Sequence, residues 1–229
     1  QSNEDLQQFA YVVSHDLQEP LRMVSSYMSL LDAEYADELD GEAREYVEFA
    51  TDGAERMKAL IDGLLRFSRV ETRGDEMEAV ESEAALTDAE QALAVRIEET
   101  DTVIDAESLP TVQADRTQLS QVFQNLLSNA IEYAGDEPPV IEVRAEERSD
   151  EFVFAVEDDG VGIPEGDQDE VFGIFERGAD APGDGIGIGL AISRRIVERH
   201  DGEMWVDSAV DEGTTVYFSL AADPSPSRL

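Results

Sequence analysis

No cysteine occurs in the 229 residues, which excludes disulfides and thiolate metal sites. Lysine is almost as scarce: Lys58 stands alone, and arginine brings the basic total only to 16 against 54 acids. A net charge of −38 offers no basic footprint and argues against nucleic acid as a partner. No run of about 18 apolar residues is present, so no segment here reads as contacting a membrane, and no signal peptide is visible. An initiator methionine is also missing; starting at Gln1, the chain reads as a fragment or a processed product, with a cytoplasmic location expected.

The acids are spread along the whole chain and not gathered in one tail, which reads as a solvated acidic surface. Such a surface suits concentrated salt, where screening shrinks to ~3 Å at 1 M, so a salt-rich cytoplasm is the expected setting. Hydrophobic residues make up 41%, enough to build cores and to exclude general disorder.

Apolar residues at Leu6, Phe9, Val13, Leu17, Leu21, Val24, Met28 and Leu31 recur in steps of three and four, predicting one long helix from Asn3 to Tyr35. At about 100° per residue, His15 projects roughly 180° from that stripe, facing outward beside Tyr11, Arg22 and Ser26. A chance surface histidine satisfies the same geometry. Pro20 has no N–H for the carbonyl of Asp16 and is expected to bend or loosen the helix just after the histidine. A turn at Ala36–Gly41 and a second helix, Glu42–Val70, complete an antiparallel hairpin. Alone it leaves apolar surface wet, so a homodimer forming a four-helix bundle is expected; packing onto the rest of its own chain is the alternative.

Thr72–Asp75 reads as a linker, and beyond it strands and helices alternate. Met77–Ala84 is expected as a strand and Leu86–Thr100 as one helix. Short strands follow at Thr102–Asp105 and Thr111–Gln113, then Asp115 as N-cap of a helix over Arg116–Tyr133. Pro139–Glu147 and Glu151–Asp158 alternate like a hairpin turning at Ser149-Asp150. The Gly- and Asp-rich segment Gly160–Gly185 precedes a helix near Gly187–His200, and strands Glu203–Ser208 and Thr214–Leu220 close the unit. Helices grouped with a mostly antiparallel sheet predict an α/β sandwich.

Three motifs carry chemistry. Gln121, Asn125 and Asn129 stand four apart and share one helix face, with Tyr133 a turn further; carboxamide oxygens suit a hard cation such as Mg²⁺ and its phosphates, or form only a solvated face. Asp158-Asp159-Gly160-Val161-Gly162-Ile163 ends a strand, where glycines permit close approach and a carboxylate can accept from an exocyclic amine; an ordinary acidic turn is the alternative. Gly185, Gly187 and Gly189 open a helix whose N-terminus can meet phosphate, with a flexible linker as the alternative. Neither the Walker pattern nor the dinucleotide fingerprint is matched.

Together these pieces resemble the sensor histidine kinases of two-component systems, in the subgroup of phytochrome-type and related sensors. Ser14–Arg22 is similar to their phospho-acceptor box, Asn125–Tyr133 to the asparagine box, and Asp158–Ile163 to the first glycine box. Phe172–Phe175 resembles the phenylalanine box, Gly185–Leu190 the second glycine box, and Gly213–Thr215 a closing motif, all in family order. The resemblance implies ATP in the sandwich domain, with Asp158, Gly160 and Gly162 at the adenine and Asn125, Asn129 and Tyr133 along the phosphates. Asn129, together with Asn125, would coordinate Mg²⁺; Gly185, Gly187, Gly189 and Leu190 would flank the phosphates, and Gly160–Gly185, with Phe175 and Arg177, would form a mobile lid. It implies attack of His15 on the γ-phosphate, Asp16 orienting the ring or taking its proton, and transfer to an aspartate of a response-regulator receiver domain. An upstream sensor domain is implied as well.

Some positions depart from that pattern. Glu132 stands where the family commonly has lysine, losing a phosphate contact and adding repulsion; Arg177 either supplies the missing charge or makes a plain surface salt bridge. Asp159 and Ile186 replace a frequent asparagine and a frequent threonine or serine. Glu19 stands four after His15, where relatives that dephosphorylate their partner often carry threonine or asparagine. His200, before Asp201-Gly202, reads as structural. The expected fold is α+β: an N-terminal helical hairpin forming a dimeric four-helix bundle (1–72), an α/β sandwich ATP-binding domain (76–222) and a frayed tail (223–229). The rivals to an autokinase are a degenerate, nucleotide-binding dimeric signalling scaffold and a gyrase- or mismatch-repair-type ATPase, which leaves His15 unexplained.

Overall fold

The computed structural model describes residues 2–35, 39–70, 74–176 and 186–222, with side chains from Leu17 onward. The chain divides into two compact units, Gln1–Arg69 and Val70–Leu229.

The first unit is a hairpin of α1 (Ser2–Tyr35) and α2 (Gly41–Arg69). The α1 helix runs uninterrupted through Pro20, so the missing N–H costs one hydrogen bond and does not end the helix. Asp40 starts α2 by accepting from the Ala43 N–H through Oδ1 (2.8 Å). Across the hairpin, Gln18 Nε2 donates to Asp62 Oδ1 at 2.7 Å. Among its described side chains only Ala54 and Gly63 are buried, while Tyr27, Leu30, Tyr46 and Phe49 stay exposed, Phe49 at 75%.

The second unit begins with β1 (Glu78–Glu81), α3 (Ser82–Ala92), α4 (Ala94–Glu99), β2 (Val103–Ala106) and β3 (Thr111–Ala114). Then come α5 (Arg116–Glu132), β4 (Val140–Arg148), β5 (Glu151–Asp158), α6 (Gly189–Arg199), β6 (Met204–Ala209) and β7 (Gly213–Ala221). Five strands form one sheet in the order β2-β4-β5-β7-β6; β2 and β4 are parallel and the other pairs antiparallel. The expected strand Met77–Ala84 is only four residues long, because α3 starts at Ser82 and β1 pairs solely with β3 in a separate ribbon. The single helix expected over Leu86–Thr100 is two, parted at Leu93, whose backbone (φ −103°, ψ 5°) leaves the helical region.

The core forms where α5 lies on the sheet. Phe123 meets Phe154 and Phe218 edge-on, with centroids 6.0 and 5.7 Å apart, while Phe154 and Phe218 stack at 4.8 Å. The apolar face expected of α5, Leu119, Val122, Phe123, Leu126 and Ala130, is buried throughout. On the opposite face of β5, Ala155 is registered with Tyr217 and, beyond it, Trp205; these two rings stack at 5.4 Å.

A polar joint fixes the N-terminal end of α5. Asp115 caps the helix, its Oδ1 accepting from the Gln118 N–H (3.1 Å). Its Oδ2 accepts from the Asp75 N–H (2.7 Å) and lies 3.6 Å from Arg199 Nη1. Arg199 donates onward to Gln118 Oε1 (2.8 Å) and the Asp75 carbonyl (3.0 Å), and Gln118 Nε2 donates to the Val70 carbonyl (2.8 Å). The Asp115 N–H donates to His200 Nε2 at 3.0 Å, so the ring proton sits on Nδ1, 2.7 Å from the Ile196 carbonyl. Burial holds His200 below its usual pKa, in keeping with a structural, neutral ring. Asp115→Ala removes the cap and leaves the Asp75 N–H and Arg199 short of a partner. It should destabilise the second unit by about 2 kcal/mol in denaturant unfolding, and a loss under about 0.5 kcal/mol would contradict this role.

Candidate functional site

The carboxylate at the end of β5 is the chemical centre of the second unit. Asp158 is registered between Ile141 and Thr214, so its side chain is largely buried at the sheet end. Oδ1 accepts from the Gly160 N–H at 3.0 Å. Burial pushes the carboxyl up to about 6, while the backbone donors at Gly160 and Thr214 act in the opposite direction. A half-buried acceptor at the rim of a sheet suits an amine better than a metal, since no group of three or more His, Asp or Glu gathers among the described residues.

Glycine is required where the chain doubles back around that acid. Gly213 (φ 90°) packs so closely on the Asp158 carbonyl, and Gly162 (φ 70°) on the Ala209 carbonyl, that a Cβ at either would collide with backbone. Gly160 approaches the Tyr133 carbonyl in the same way, and that carbonyl accepts from the Val161 N–H at 2.9 Å. The last turn of α5 is thus stitched to the Asp158 loop. Ser208 secures the other side: its hydroxyl accepts from the Ile163 N–H (2.8 Å) and donates to the Gly213 carbonyl (2.7 Å). Asp159 serves the sheet, accepting from the Val140 N–H at 3.0 Å.

On α5, two of the three carboxamides predicted to share a face, Asn125 and Asn129, meet the start of α6. Asn125 Nδ2 donates to the Gly189 carbonyl (3.1 Å) and to Ser193 Oγ (3.0 Å). This residue therefore positions the helix N-terminus. Asn129 lies one turn on; its Oδ1 would be the nearest oxygen, 3.8 Å away, to a Cβ on Gly189. Asn125 and Asn129 thus line the α6 N-terminus at ordinary van der Waals distance, and a carboxamide oxygen there fits a phosphate-bound Mg²⁺, which needs few protein ligands when phosphate supplies the rest. Leu190 is half-buried, with Ala191 and Ile192 in the core as the apolar face of α6 predicts.

The phenylalanine and glycine segments also meet. The Phe175 N–H donates to the Gly187 carbonyl at 2.8 Å, and both residues have positive φ (68° and 69°). The Phe172 ring lies under the Arg194 guanidinium, 5.4 Å from centroid to carbon. Arg177 and Gly185 lie outside the described residues. His15 and Asp16 belong to α1, and their side chains likewise lie outside what is described.

Sequence reading missed Ser193, Ser208 and Gln168. Gln168 donates to the Ile163 and Ser208 carbonyls (3.2 and 2.6 Å) and so holds the loop from inside. It also missed Arg96, which donates to Ser128 Oγ at 2.9 Å and lies 3.7 Å from Glu132. None of these pairs has a signal in local spacing, because their partners stand 5 to 68 positions away.

Residues 5–73 match the His Kinase A (phospho-acceptor) domain, and residues 114–224 match the histidine kinase-, DNA gyrase B-, and HSP90-like ATPase family. The chain is 45% identical over 220 residues to Cyanobacterial phytochrome A of Nostoc sp. and 42% identical to Phytochrome-like protein Cph1 of Synechocystis sp.. Each alignment covers 96% of this chain but 29% of the relative, so the chain spans less than a third of their length. Among solved structures, full-length ShkA in complex with AMPPNP is similar at TM-score 0.67 and 25% identity, over 96% of this chain and 47% of that one. The first of the two domain matches covers the hairpin that a gyrase-type ATPase leaves unexplained. The chain belongs to the histidine kinases, a phospho-acceptor hairpin followed by the ATPase domain of that family.

Proposed function

We propose that this chain is the kinase core of a phytochrome-like sensor histidine kinase that phosphorylates itself on His15 from ATP and passes the phosphoryl group to a receiver domain. The observation that carries the reading is Asp158, a half-buried carboxylate that accepts from the Gly160 N–H beside the last turn of α5. Its free lone pairs would accept from the adenine amino group. The carboxamide face of α5 would carry the phosphates, and the α6 N-terminus, fixed by Asn125, would present N–H groups to them. Bound Mg²⁺ would neutralise phosphate charge, with Asn129 as the protein ligand.

A ring nitrogen of His15 would form a bond to the γ-phosphorus as the bond to the bridging oxygen breaks and ADP leaves. Asp16 would hold the ring or take the proton lost from its other nitrogen. The phosphoryl group would then move to a receiver aspartate; the structure of ThkA in complex with response regulator TrrA, a fold neighbour at 22% identity and TM-score 0.65, is consistent with such a partner. An upstream sensor fits the greater length of the relatives. Exposed Tyr27, Leu30 and Phe49 on the hairpin favour a second copy as its cover. No helix among the described residues is long and apolar enough to cross a membrane, and we place the chain in a cytoplasm rich in salt.

Incubation with γ-labelled ATP and Mg²⁺ should give acid-labile label that disappears in His15→Gln, with ATP affinity changed by less than about twofold. Tight binding without label in the parent chain would instead establish the scaffold.

The Asp158 reading has a stability signature. The folded carboxyl titrates at about 6 and the unfolded one at 3.8, so the folded chain binds more protons in that window. Stability therefore falls as pH rises from 3.8 to about 6, and above it the ionised group costs the fold about 3 kcal/mol. Asp158→Asn should stabilise the second unit by about 1–3 kcal/mol at pH 8, less at pH 5, while weakening ATP at least about tenfold. Melts at the two pH values with calorimetric titration of ATP check both arms.

With a net charge of −38, the thermal midpoint should climb as KCl rises from about 0.1 to about 3 M. Light scattering in the same series should give twice 25.2 kDa. A chain most stable in dilute buffer would rule out the salt-rich setting, and a monomer would rule out the shared bundle.

A further inference from the structure

Glu132 is placed where an anion is least welcome. It follows Asn125 by seven residues on α5, which brings it within about 20° of that side chain around the helix, and it follows Asn129 by three. It is therefore on the carboxamide face, its side chain only 18% exposed. A polyanion carried on that face would lie within about two helical turns of a partly buried carboxylate, a distance at which repulsion is only partly screened. The structure sets a cation against it. Arg96, from α4, reaches across to α5, donates to Ser128 Oγ through Nη1 at 2.9 Å and places Nη2 3.7 Å from Glu132 Oε2. Ser128 and Glu132 are four apart, so one guanidinium spans a single turn of the helix. In a chain with 16 basic residues, a cation committed to this turn is unlike the general surface.

We propose that Arg96 is a positioning residue for the nucleotide phosphates: it masks Glu132 and so makes the carboxamide face tolerant of a triphosphate. It acts through Glu132 and Ser128. The effect scales with phosphate charge and leaves the adenine end untouched. The proposal rests on the ATP reading above.

The test is calorimetric titration of the 229-residue chain with ATP, ADP and adenosine, each with Mg²⁺, at low and high KCl. Arg96→Ala should weaken ATP by about fivefold to tenfold at low salt, ADP by less, and adenosine by under about twofold, with the ATP effect shrinking in high KCl. Glu132→Gln should bind ATP at least as well as the parent. Arg96→Ala combined with Glu132→Gln should return ATP to within about twofold of the parent, which a purely structural tether between α4 and α5 would not do. Arg96→Lys keeps the charge and should retain ATP affinity, covering the case in which the alanine variant folds poorly. Equal weakening of adenosine and ATP in Arg96→Ala, or no recovery in the double variant, overturns the proposal while the site itself stands. Asp158→Asn separates the two readings: if it leaves all three affinities unchanged, the adenine site lies elsewhere and this proposal falls with it.

Discussion

Acids outnumber bases 54 to 16, so the carboxylates that are drawn into the structure cannot all be met by side-chain cations. The fold answers with backbone N–H groups. Asp40 and Asp115 accept from the first turns of α2 and α5, Asp115 also from the Asp75 N–H, Asp158 from Gly160, and Asp159 from Val140. Each of these bonds uses a donor that a helix start, a turn or a strand end leaves without an intrinsic partner, so one bond removes two desolvation costs. Arginine is then free for joints between elements. Arg199 links α6 to the segment before β1, Arg96 links α4 to α5, and Arg144 pairs with Glu157 between β4 and β5.

The proposed nucleotide site follows from the same economy of donors. Among the described residues Asp158 meets no cation, and it keeps a raised affinity for protons, so the ionised form is held at a cost that packing elsewhere offsets. The three aromatic rings of the core and the close approach at Gly213 set the sheet end on which it sits. α5 and α6 each run from the Asp115–His200–Arg199 joint toward the Asp158 end, where Asn125 ties one to the other. The buried joint thus fixes the far ends of the two helices, and Gln118 is held within it by the Val70 carbonyl and Arg199.

Much of this was legible in the sequence where the signal is local. The 3.6-residue periodicity marked both hairpin helices and α5, and Asp115 declared itself as a cap by residue type and place. The glycine-bearing turns could be located by residue type, though Gly160, Gly162 and Gly213 prove to lie against backbone, where a ligand was expected to approach, and His200 could be read because a histidine beside a helix end suits a structural bond. The parting at Leu93 was not legible, since Leu86–Thr100 keeps a helical composition and only its packing ends α3 there. Nor was the β1–β3 ribbon: a pairing between residues 30 to 36 apart depends on how α3 and α4 return the chain. Asn125 was read as a ligand through its carboxamide oxygen; that its Nδ2 also bonds Gly189 and Ser193, partners 64 and 68 positions away, had no signal in the spacing. Spacing along a helix shows which side chains share a face and leaves open what that face meets.

The distribution of partners also determines where salt can act. Bonds from backbone N–H to Asp115 and Asp158 are sheltered, so ions in the solvent screen them little. The unpaired surface acids repel one another across open water, where a Debye length of a few ångströms removes most of the interaction. Salt should therefore bear on whether the chain holds together, and far less on the arrangement of the site once it has done so. Glu132 is the point where the two regimes meet, a partly buried acid balanced by a half-exposed arginine at the edge of the proposed phosphate face.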